Sequence, residues 1–295
     1  MEEAMKTHLL QAMIAAMIAA MLAAMLAAFS LSAAEIPPDA KTFALVVGIS
    51  KYQKLPQDLW LQYPAVDAEA LSRHLASPRG GGIPPDQMLA LTNEQATTAA
   101  LRSAFNTFLK TRPGRNDTVY ILIAGHGTVD RTGAYILTWD SDPENLAATA
   151  LPMAELHSVV EEALSKVGHV ILLADVCRAA TIAGQKTTAI GGVVERIGEA
   201  PGELLGLMAA RHQELSLEGP EFGGGHGAFT WSVLKGLEGA ADSDHDGFVT
   251  AGELIDFVSA DVPGLTRNKQ HPRDFGNMEN STKLSDLSKP GIALE

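Results

Sequence analysis

Short apolar runs alternate with amphipathic stretches along most of this chain. Residues 43–49 (FALVVGI) form an unbroken apolar run, which is typical of a strand covered on both faces. Further strands are predicted at 88–91, 118–124, 169–174 and 204–209. Apolar positions at helical spacing predict helices at 65–76, 97–110 and 153–166. This alternation predicts an α/β fold with a mostly parallel sheet and helices on both faces.

One domain is predicted over residues 41–265. Within it, the segment 178–202 is rich in Gly, Thr and Ala and has no clear periodicity, so we expect a long loop there. The remaining residues, 266–295, are polar and carry Pro, Asn and Ser. We therefore expect a largely irregular C-terminal extension.

The N-terminus has the pattern of an export signal. Lys6 precedes a nearly uninterrupted apolar stretch, 9–31, and small residues lead up to Ala34. This predicts a signal peptide over residues 1–34 and a secreted or periplasmic protein. The stretch is also long enough to cross a bilayer, for which about 20 residues suffice. An uncleaved membrane anchor is the alternative, and a membrane is a partner only in that case.

Composition narrows the classes of partner. The formal net charge of −13 disfavours nucleic acid and anionic membrane surfaces as partners and suits basic substrates. The 46% content of apolar residues supports a substantial core. The single cysteine allows no intramolecular disulfide in an exported protein. It is therefore either an inert buried residue or a reactive thiol.

Two apolar runs are each followed by residues that can take part in catalysis. The run 119–124 leads into Gly125-His126-Gly127, and 169–174 leads into Asp175-Val176-Cys177. Loops at the carboxyl ends of parallel strands meet at one edge of a sheet, so we expect the imidazole and the thiol to share a cleft. An imidazole activates a thiol nucleophile, and the N–H groups of Gly127 and Cys177 could stabilise an oxyanion. The alternative is a core histidine and a core cysteine.

These motifs also carry a family resemblance. The sequences TVYILIAGHG (118–127) and VILLADVCR (170–178) resemble the His and Cys motifs of caspase-like cysteine peptidases, most closely the metacaspase and orthocaspase branch. The resemblance extends through FALVVGISKY (43–52), AVDA (65–68), LMAARHQELSLE (207–218) and GHGAFTWSVLKGL (225–237). It departs from the family at Ala124 and at Ala179-Ala180, where members often carry Ser and a Ser-Gly pair.

The resemblance implies a cysteine endopeptidase in which Cys177 attacks the peptide bond and His126 handles the proton. It also implies an acidic pocket for a substrate Arg or Lys, at the positions of Asp67 and Asp175. A preference for Asp is disfavoured, because it would need a basic pocket. Cleavage after basic residues further predicts self-cleavage in the loop 178–202, at Lys186 or Arg196. The departures leave open a catalytically silent, calcium-binding interaction module.

A calcium-binding loop is predicted near the C-terminus. Residues 242–253 (DSDHDGFVTAGE) match the twelve-residue EF-hand pattern, with the turn glycine at Gly247 and helical stretches on both sides. The predicted ligands are Asp242, Asp244, Asp246, the Phe248 carbonyl, Thr250 and Glu253. A single loop of this kind favours a structural clamp over a sensor. The sequence indicates one Ca²⁺ and no organic cofactor.

Overall fold

A computed structural model describes residues 40–163, 167–178, 203–211 and 214–294. The predicted signal peptide or anchor at 1–34 and the predicted self-cleavage sites Lys186 and Arg196 lie outside these ranges. Residues Pro38–Glu295 make up one compact unit. Within the described ranges, each helix is too short or too polar to cross a membrane.

The strands are short except for two that carry the candidate site. They are β1 Thr42–Gly48, β2 Met88–Thr92, β3 Thr118–Val129, β4 Ala134–Ile136, β5 Leu151–Pro152, β6 His169–Arg178, β7 Glu203–Met208, β8 Glu218–Gly219, β9 His226–Gly227, β10 Phe248–Thr250, β11 Arg273–Gly276 and β12 Lys283–Asp286. The helices are α1 Pro64–Ala76, α2 Thr98–Ser103, α3 Leu146–Thr149, α4 Met153–Ser158, α5 Ala228–Lys235 and α6 Ala251–Leu265. Helices α2, α4 and α5 continue as π-helical turns at Ala104–Leu109, Val159–Ala163 and Gly236–Ala240.

The main sheet has the strand order β11-β7-β6-β3-β1-β2. Strands β7, β6, β3, β1 and β2 run parallel, and β11 is added antiparallel at one edge. Strand β4 pairs with the far end of β3 and with β5. Two small antiparallel pairs, β8-β9 and β10-β12, stand apart from this sheet. The predicted α/β class with a mostly parallel sheet is confirmed.

The core lies on both faces of the sheet, because successive strand residues point to opposite sides. Leu45 and Val47 of β1 pack in the cluster that contains residues of α2 and α4. Ala44 and Val46 of the same strand pack in the other cluster, with residues of α1, α5 and α6. A strand buried on both faces needs an unbroken apolar run, which β1 has.

The predicted ends of strands β3 and β6 lie too early in the chain. Strand β3 continues to Val129 and β6 to Arg178, whereas the apolar runs end at 124 and 174. Pairing explains the extension: Gly127 is registered with Ile136 of β4 on one side and with Arg178 of β6 on the other. The glycines on each side of His126 therefore lie within a strand and do not begin a loop.

The expectation of a largely irregular segment after residue 265 is wrong at two strands. Strand β11 completes the edge of the main sheet, with Phe275 registered opposite Gly206 of β7. A Cβ on Gly206 would lie 2.1 Å from the Phe275 ring, so the glycine makes room for that ring. Strand β12 pairs with β10, which lies within the predicted calcium loop 242–253. Strand β11 lacks an apolar run because an edge strand is half exposed to solvent, and its burial pattern agrees.

Candidate active site

The structure brings positions 126 and 177 side by side. His126 in β3 is the register partner of Cys177 in the parallel neighbour β6. The prediction that these two positions meet at one part of the sheet agrees with this pairing. They meet within paired strands, and not in loops beyond the strand ends.

The His126 ring is held by a backbone carbonyl. Its Nε2 lies 2.7 Å from the carbonyl oxygen of Leu59, which ends the 3-10 turn Gln57–Leu59 just before α1. Because a carbonyl only accepts, Nε2 carries the hydrogen and Nδ1 carries the lone pair. Nδ1 is buried and has no hydrogen-bond partner within the described ranges. Burial lowers the pKa of His126, and the bond to Leu59 opposes this in part. The ring therefore rests in the neutral form, ready to take a proton at Nδ1.

Tyr52 fixes the backbone at His126 and was not predicted from the sequence. Its hydroxyl accepts a hydrogen bond from the His126 N–H at 2.8 Å and donates to the Ile49 carbonyl at 3.0 Å. Its ring also stacks on the imidazole, with 5.2 Å between the ring centroids. The motif FALVVGISKY contains this tyrosine, but neither spacing nor periodicity pointed to its role.

Asp67 and Asp175 converge on one point of the backbone, Gly227. Both side chains are buried, although they come from α1 and β6. A Cβ on Gly227 would lie 2.9 Å from Asp175 Oδ2 and 3.1 Å from Asp67 Oδ2. Only a glycine lets the backbone come this close, and its N–H donates to Asp67 Oδ2 at 3.1 Å. The two aspartates that the resemblance assigned to one pocket do share it.

A third carboxylate, Glu218 of β8, lines the same pocket. Its oxygens accept hydrogen bonds from the backbone N–H groups of Gln62 and Tyr63, at 2.9 and 3.1 Å. Within the described part of the chain, no Lys or Arg pairs with Glu218, Asp67 or Asp175. The pocket volume is about 10 Å³, which leaves room for roughly one water molecule. A side chain larger than water could enter only if the pocket opened.

Neutral donors and one histidine satisfy the buried aspartates. Ser216 and Thr230 donate their hydroxyl hydrogens to the two oxygens of Asp175, at 2.6 and 2.8 Å. His226 Nδ1 lies 2.6 Å from Asp67 Oδ1. Ser216 and His226, like Glu218, belong to stretches that resemble the family, but no sequence pattern predicted a role for them.

Burial sets the electrostatics of the pocket. It raises the pKa of Asp67 to about 7. The hydrogen bond from His226 lowers this pKa in part, and the charge of Asp175 raises it further. Burial also raises the pKa of Asp175, against the bonds from Ser216 and Thr230. The pKa of Glu218 is raised by burial and by the charge of Asp175. A cation that enters the pocket would stabilise the ionised form of these carboxylates, because an opposite charge nearby lowers their pKa.

The predicted calcium loop gathers three aspartates. Oxygens of Asp242, Asp244 and Asp246 lie within 4.8 Å of one another, and Gly247 turns the chain with φ at +87°. Asp242 Oδ1 is buried and has no hydrogen-bond partner within the described ranges. Carboxylate oxygens are the ligands that Ca²⁺ prefers, so this group of residues fits the ion.

The other predicted ligands make contacts within the protein. Glu253 accepts hydrogen bonds from the N–H and hydroxyl groups of Thr250 and Ser243, at 2.8 to 3.1 Å. Burial acts to raise the pKa of Glu253, but these bonds outweigh it and hold the value at about 2. Glu253 therefore caps α6 as an ionised carboxylate. The Phe248 N–H donates to Asp246 Oδ1 at 2.8 Å, which closes the loop.

A mostly parallel sheet with helices on both faces, and with His and Cys in register on neighbouring strands, defines a caspase-like α/β protein. The chain belongs to the caspase family, since the family model described as the caspase domain matches residues 41–281. The predicted resemblance is thus confirmed. Membership supports a peptidase domain and implies peptide or protein substrates.

Solved structures support the same fold. The chain is similar to a protein from Geobacter sulfurreducens, with a TM-score of 0.55 and 18% identity over 86% of this chain and 100% of that one. It is also similar to caspase-1 from Spodoptera frugiperda, with a TM-score of 0.53 and 13% identity over 83% of this chain and 88% of that one. No curated protein matches the chain.

Proposed function

We propose that the protein is a cysteine endopeptidase that hydrolyses peptide bonds after Arg or Lys. The observation that carries this proposal is the pocket of Asp67, Asp175 and Glu218, which is negatively charged when ionised and has no Lys or Arg partner within the described residues. Asp175 lies two residues before Cys177 on the same strand, so the pocket adjoins the proposed nucleophile. A guanidinium or ammonium group would supply the missing charge.

The proposed chemistry follows from the state of His126. A free thiol with a pKa of about 8.5 is mostly protonated at neutral pH, and a neutral imidazole can accept its proton. The Cys177 sulfur then attacks the carbonyl carbon, and His126 returns the proton to the departing amine. Water, deprotonated in turn by His126, hydrolyses the resulting thioester and regenerates the thiol. The N–H groups of Gly127 and Cys177 stay predicted as donors to the oxyanion.

Four peptides that differ in one side chain test this function. Each carries a reporter amine after Arg, Lys, citrulline or Asp, and citrulline has nearly the shape of Arg without its charge. We expect cleavage after Arg and Lys, much slower cleavage after citrulline, and none after Asp. The Cys177→Ala variant should be inactive. Equal rates for this variant and wild type, or preferred cleavage after Asp, would refute the proposal.

The competing function is a catalytically silent calcium-binding interaction module. It is motivated by Ala124 and Ala179-Ala180, which replace the hydroxyl-bearing residues of many family members. Labelling separates the two functions. A peptidyl-Arg inhibitor that reacts with thiols should modify Cys177 in a peptidase. An unmodified chain in the presence of calcium would favour the silent module.

We also propose that the loop 242–253 binds one Ca²⁺. The orphaned, buried oxygen of Asp242 beside Asp244 and Asp246 supports this. The same carboxylates would hold the ion, and the carbonyl of Phe248 and the side chains of Thr250 and Glu253 are the remaining proposed ligands. Titration calorimetry of the chelator-treated protein should give a stoichiometry of one. Absence of heat at millimolar calcium would contradict the proposal.

Processing of the chain is proposed at two places. Export would remove residues 1–34 and deliver a secreted or periplasmic protein, unless this segment stays as a membrane anchor. Autocatalytic cleavage would occur at Lys186 or Arg196. Mass spectrometry of the protein from the producing cell checks both, since a cut after Ala34 and a cut after either basic residue give distinct fragment masses.

A further inference from the structure

His226 connects the acidic pocket to a second pocket on the surface. Its Nδ1 lies 2.6 Å from Asp67 Oδ1, and both side chains are buried. The ring of His226 also lines a cavity of about 380 Å³, together with Arg73 and Trp231. Trp231 stacks on the imidazole with 5.4 Å between the ring centroids and 15° between the planes. The stack and the hydrogen bond together fix the ring against Asp67.

Titratable groups surround this pair on several elements. Asp67 and Arg73 belong to α1, and Tyr63 precedes it, with its ring against Gly225. Asp175 approaches from β6 and Glu218 from β8. Asp67 therefore has two carboxylates for neighbours on the pocket side. Within the described ranges, His226 is the one titratable side chain that forms a hydrogen bond with Asp67.

Asp67 can attract a basic side chain only when it is ionised. Its burial and the nearby carboxylates oppose ionisation, whereas a hydrogen bond from His226 favours it. We propose that His226 is a specificity-determining residue, whose hydrogen bond keeps Asp67 ionised and so sets the preference for Arg and Lys over neutral side chains. This inference rests on the proposed function. The pKa of Asp67, raised by burial to about 7 despite the bond from His226, should rise further when that bond is lost.

The test compares two peptides that differ only in charge. For peptides ending in Arg and in citrulline, the ratio of their kcat/KM values is measured from pH 5.5 to 9. Titration of Cys177 and His126 affects both peptides and cancels in this ratio. In wild type, the ratio should rise with pH through about 7, because Asp67 becomes negatively charged.

Two variants of His226 separate its hydrogen bond from its bulk. In His226→Phe, which keeps a ring beside Trp231 but no donor, the midpoint should move up by about one pH unit or more and the ratio at pH 7 should fall about tenfold. In His226→Asn, whose amide can still donate to Asp67, the ratio should return to within about threefold of wild type. Cleavage after citrulline should change little in either variant. A purely structural role would slow both peptides equally.

His74→Asn is the matched control, since His74 Nδ1 also lies 2.6 Å from a carboxylate oxygen, that of Glu238, in a buried pair. It should leave the ratio and its midpoint unchanged, and thermal melts check that each variant is folded. An unchanged midpoint in folded His226→Phe would overturn the inference while leaving the peptidase in place. A wild type that cleaves neither peptide would overturn the proposed function and this inference together.

Discussion

The hydroxyl of Tyr52 accepts a hydrogen bond from the backbone N–H of His126 at 2.8 Å, and the Tyr52 ring stacks on the His126 imidazole. The same hydroxyl donates a hydrogen bond to the carbonyl of Ile49, just beyond the end of β1. The neighbouring Gly125 leaves space for this contact, because a Cβ there would lie 3.0 Å from the hydroxyl oxygen. One side chain thus ties the end of β1 to the part of β3 that carries the proposed base.

Removal of this hydroxyl should loosen the proposed base without removing it. We predict that Tyr52→Phe lowers kcat about tenfold for the Arg peptide, with a small change in KM, because the His126 N–H loses its acceptor while ring stacking persists. The free energy of unfolding should fall by about 1 kcal/mol, the typical net contribution of one hydrogen bond. Steady-state kinetics and denaturant unfolding measure the two effects.

Tyr135→Phe is the control for this change. Tyr135 is buried in β4, and its hydroxyl bonds to Thr132 at 2.5 Å in the adjoining turn. This variant should lose comparable stability and keep kcat. Equal effects of the two substitutions on kcat would mean that Tyr52 acts only on stability.

The sheet could be predicted from the sequence because its central strands are buried on both faces. Such strands need unbroken apolar runs, and β1 and the first halves of β3 and β6 have them. The extension of β3 past residue 124 could not be predicted, because glycine weakens the interior of a strand and Gly125 and Gly127 therefore indicate a strand end. Long-range pairing with β4 and β6 overrides this local preference.

The acidic pocket was predicted in part. Asp67 and Asp175 come from a helix and a strand with clear patterns, and the family motifs include them. Glu218 and His226 come from the short antiparallel pair β8-β9, whose strands have two residues each and no periodicity. Their place beside the aspartates depends on how that pair packs against α1 and α5, which no local pattern encodes.

Glu218 should contribute to substrate binding more than to chemistry. We predict that Glu218→Gln raises KM for Arg and Lys peptides about tenfold and leaves kcat within about twofold, since loss of about 1.4 kcal/mol corresponds to a factor of ten. Burial raises the pKa of Glu218, so the difference should be smaller at acidic pH, where wild-type Glu218 is itself protonated. Kinetics at pH 6 and pH 8 measure both effects.

Glu221→Gln is the control for charge alone. Glu221 is exposed and lies three residues further along the chain. Its substitution changes the net charge of the protein by the same amount and should leave KM unchanged. An increase in KM as large as that of Glu218→Gln would show that the effect is general electrostatics and not contact in the pocket.

Calcium should stabilise the folded protein through the loop after α5. A ligand at 100 times its Kd adds about 2.7 kcal/mol to the free energy of unfolding, so excess calcium should raise the Tm by several degrees. Asp242→Asn should abolish the shift, because it removes the charge at the first ligand position. Asp256→Asn in α6, which changes an exposed aspartate nearby, should retain it. Loss of the shift in both variants would indicate a nonspecific effect of acidic surface charge.

The buried pair of Glu238 and His74 should make stability depend on pH. Burial acts to raise the pKa of Glu238, but hydrogen bonds from His74 and Ile292 and the charge of Arg79 outweigh it, so the pKa lies below the ordinary 4.5. A carboxyl group with a lowered pKa in the folded state stabilises the fold above its unfolded pKa and loses this contribution as pH falls. We therefore predict that Glu238→Gln lowers the free energy of unfolding by about 2 kcal/mol at pH 7.

The difference between wild type and Glu238→Gln should shrink as pH falls below 4.5, because Glu238 then takes up a proton in the unfolded chain and, at still lower pH, in the folded protein as well. Guanidinium unfolding at pH 7 and at pH 3.5 measures this change. Glu69→Gln, an exposed position on the same helix as His74, should leave stability within about 0.5 kcal/mol at both pH values. A difference between Glu238→Gln and wild type that stays constant over this range would mean that lost packing, and not lost charge, accounts for the destabilisation.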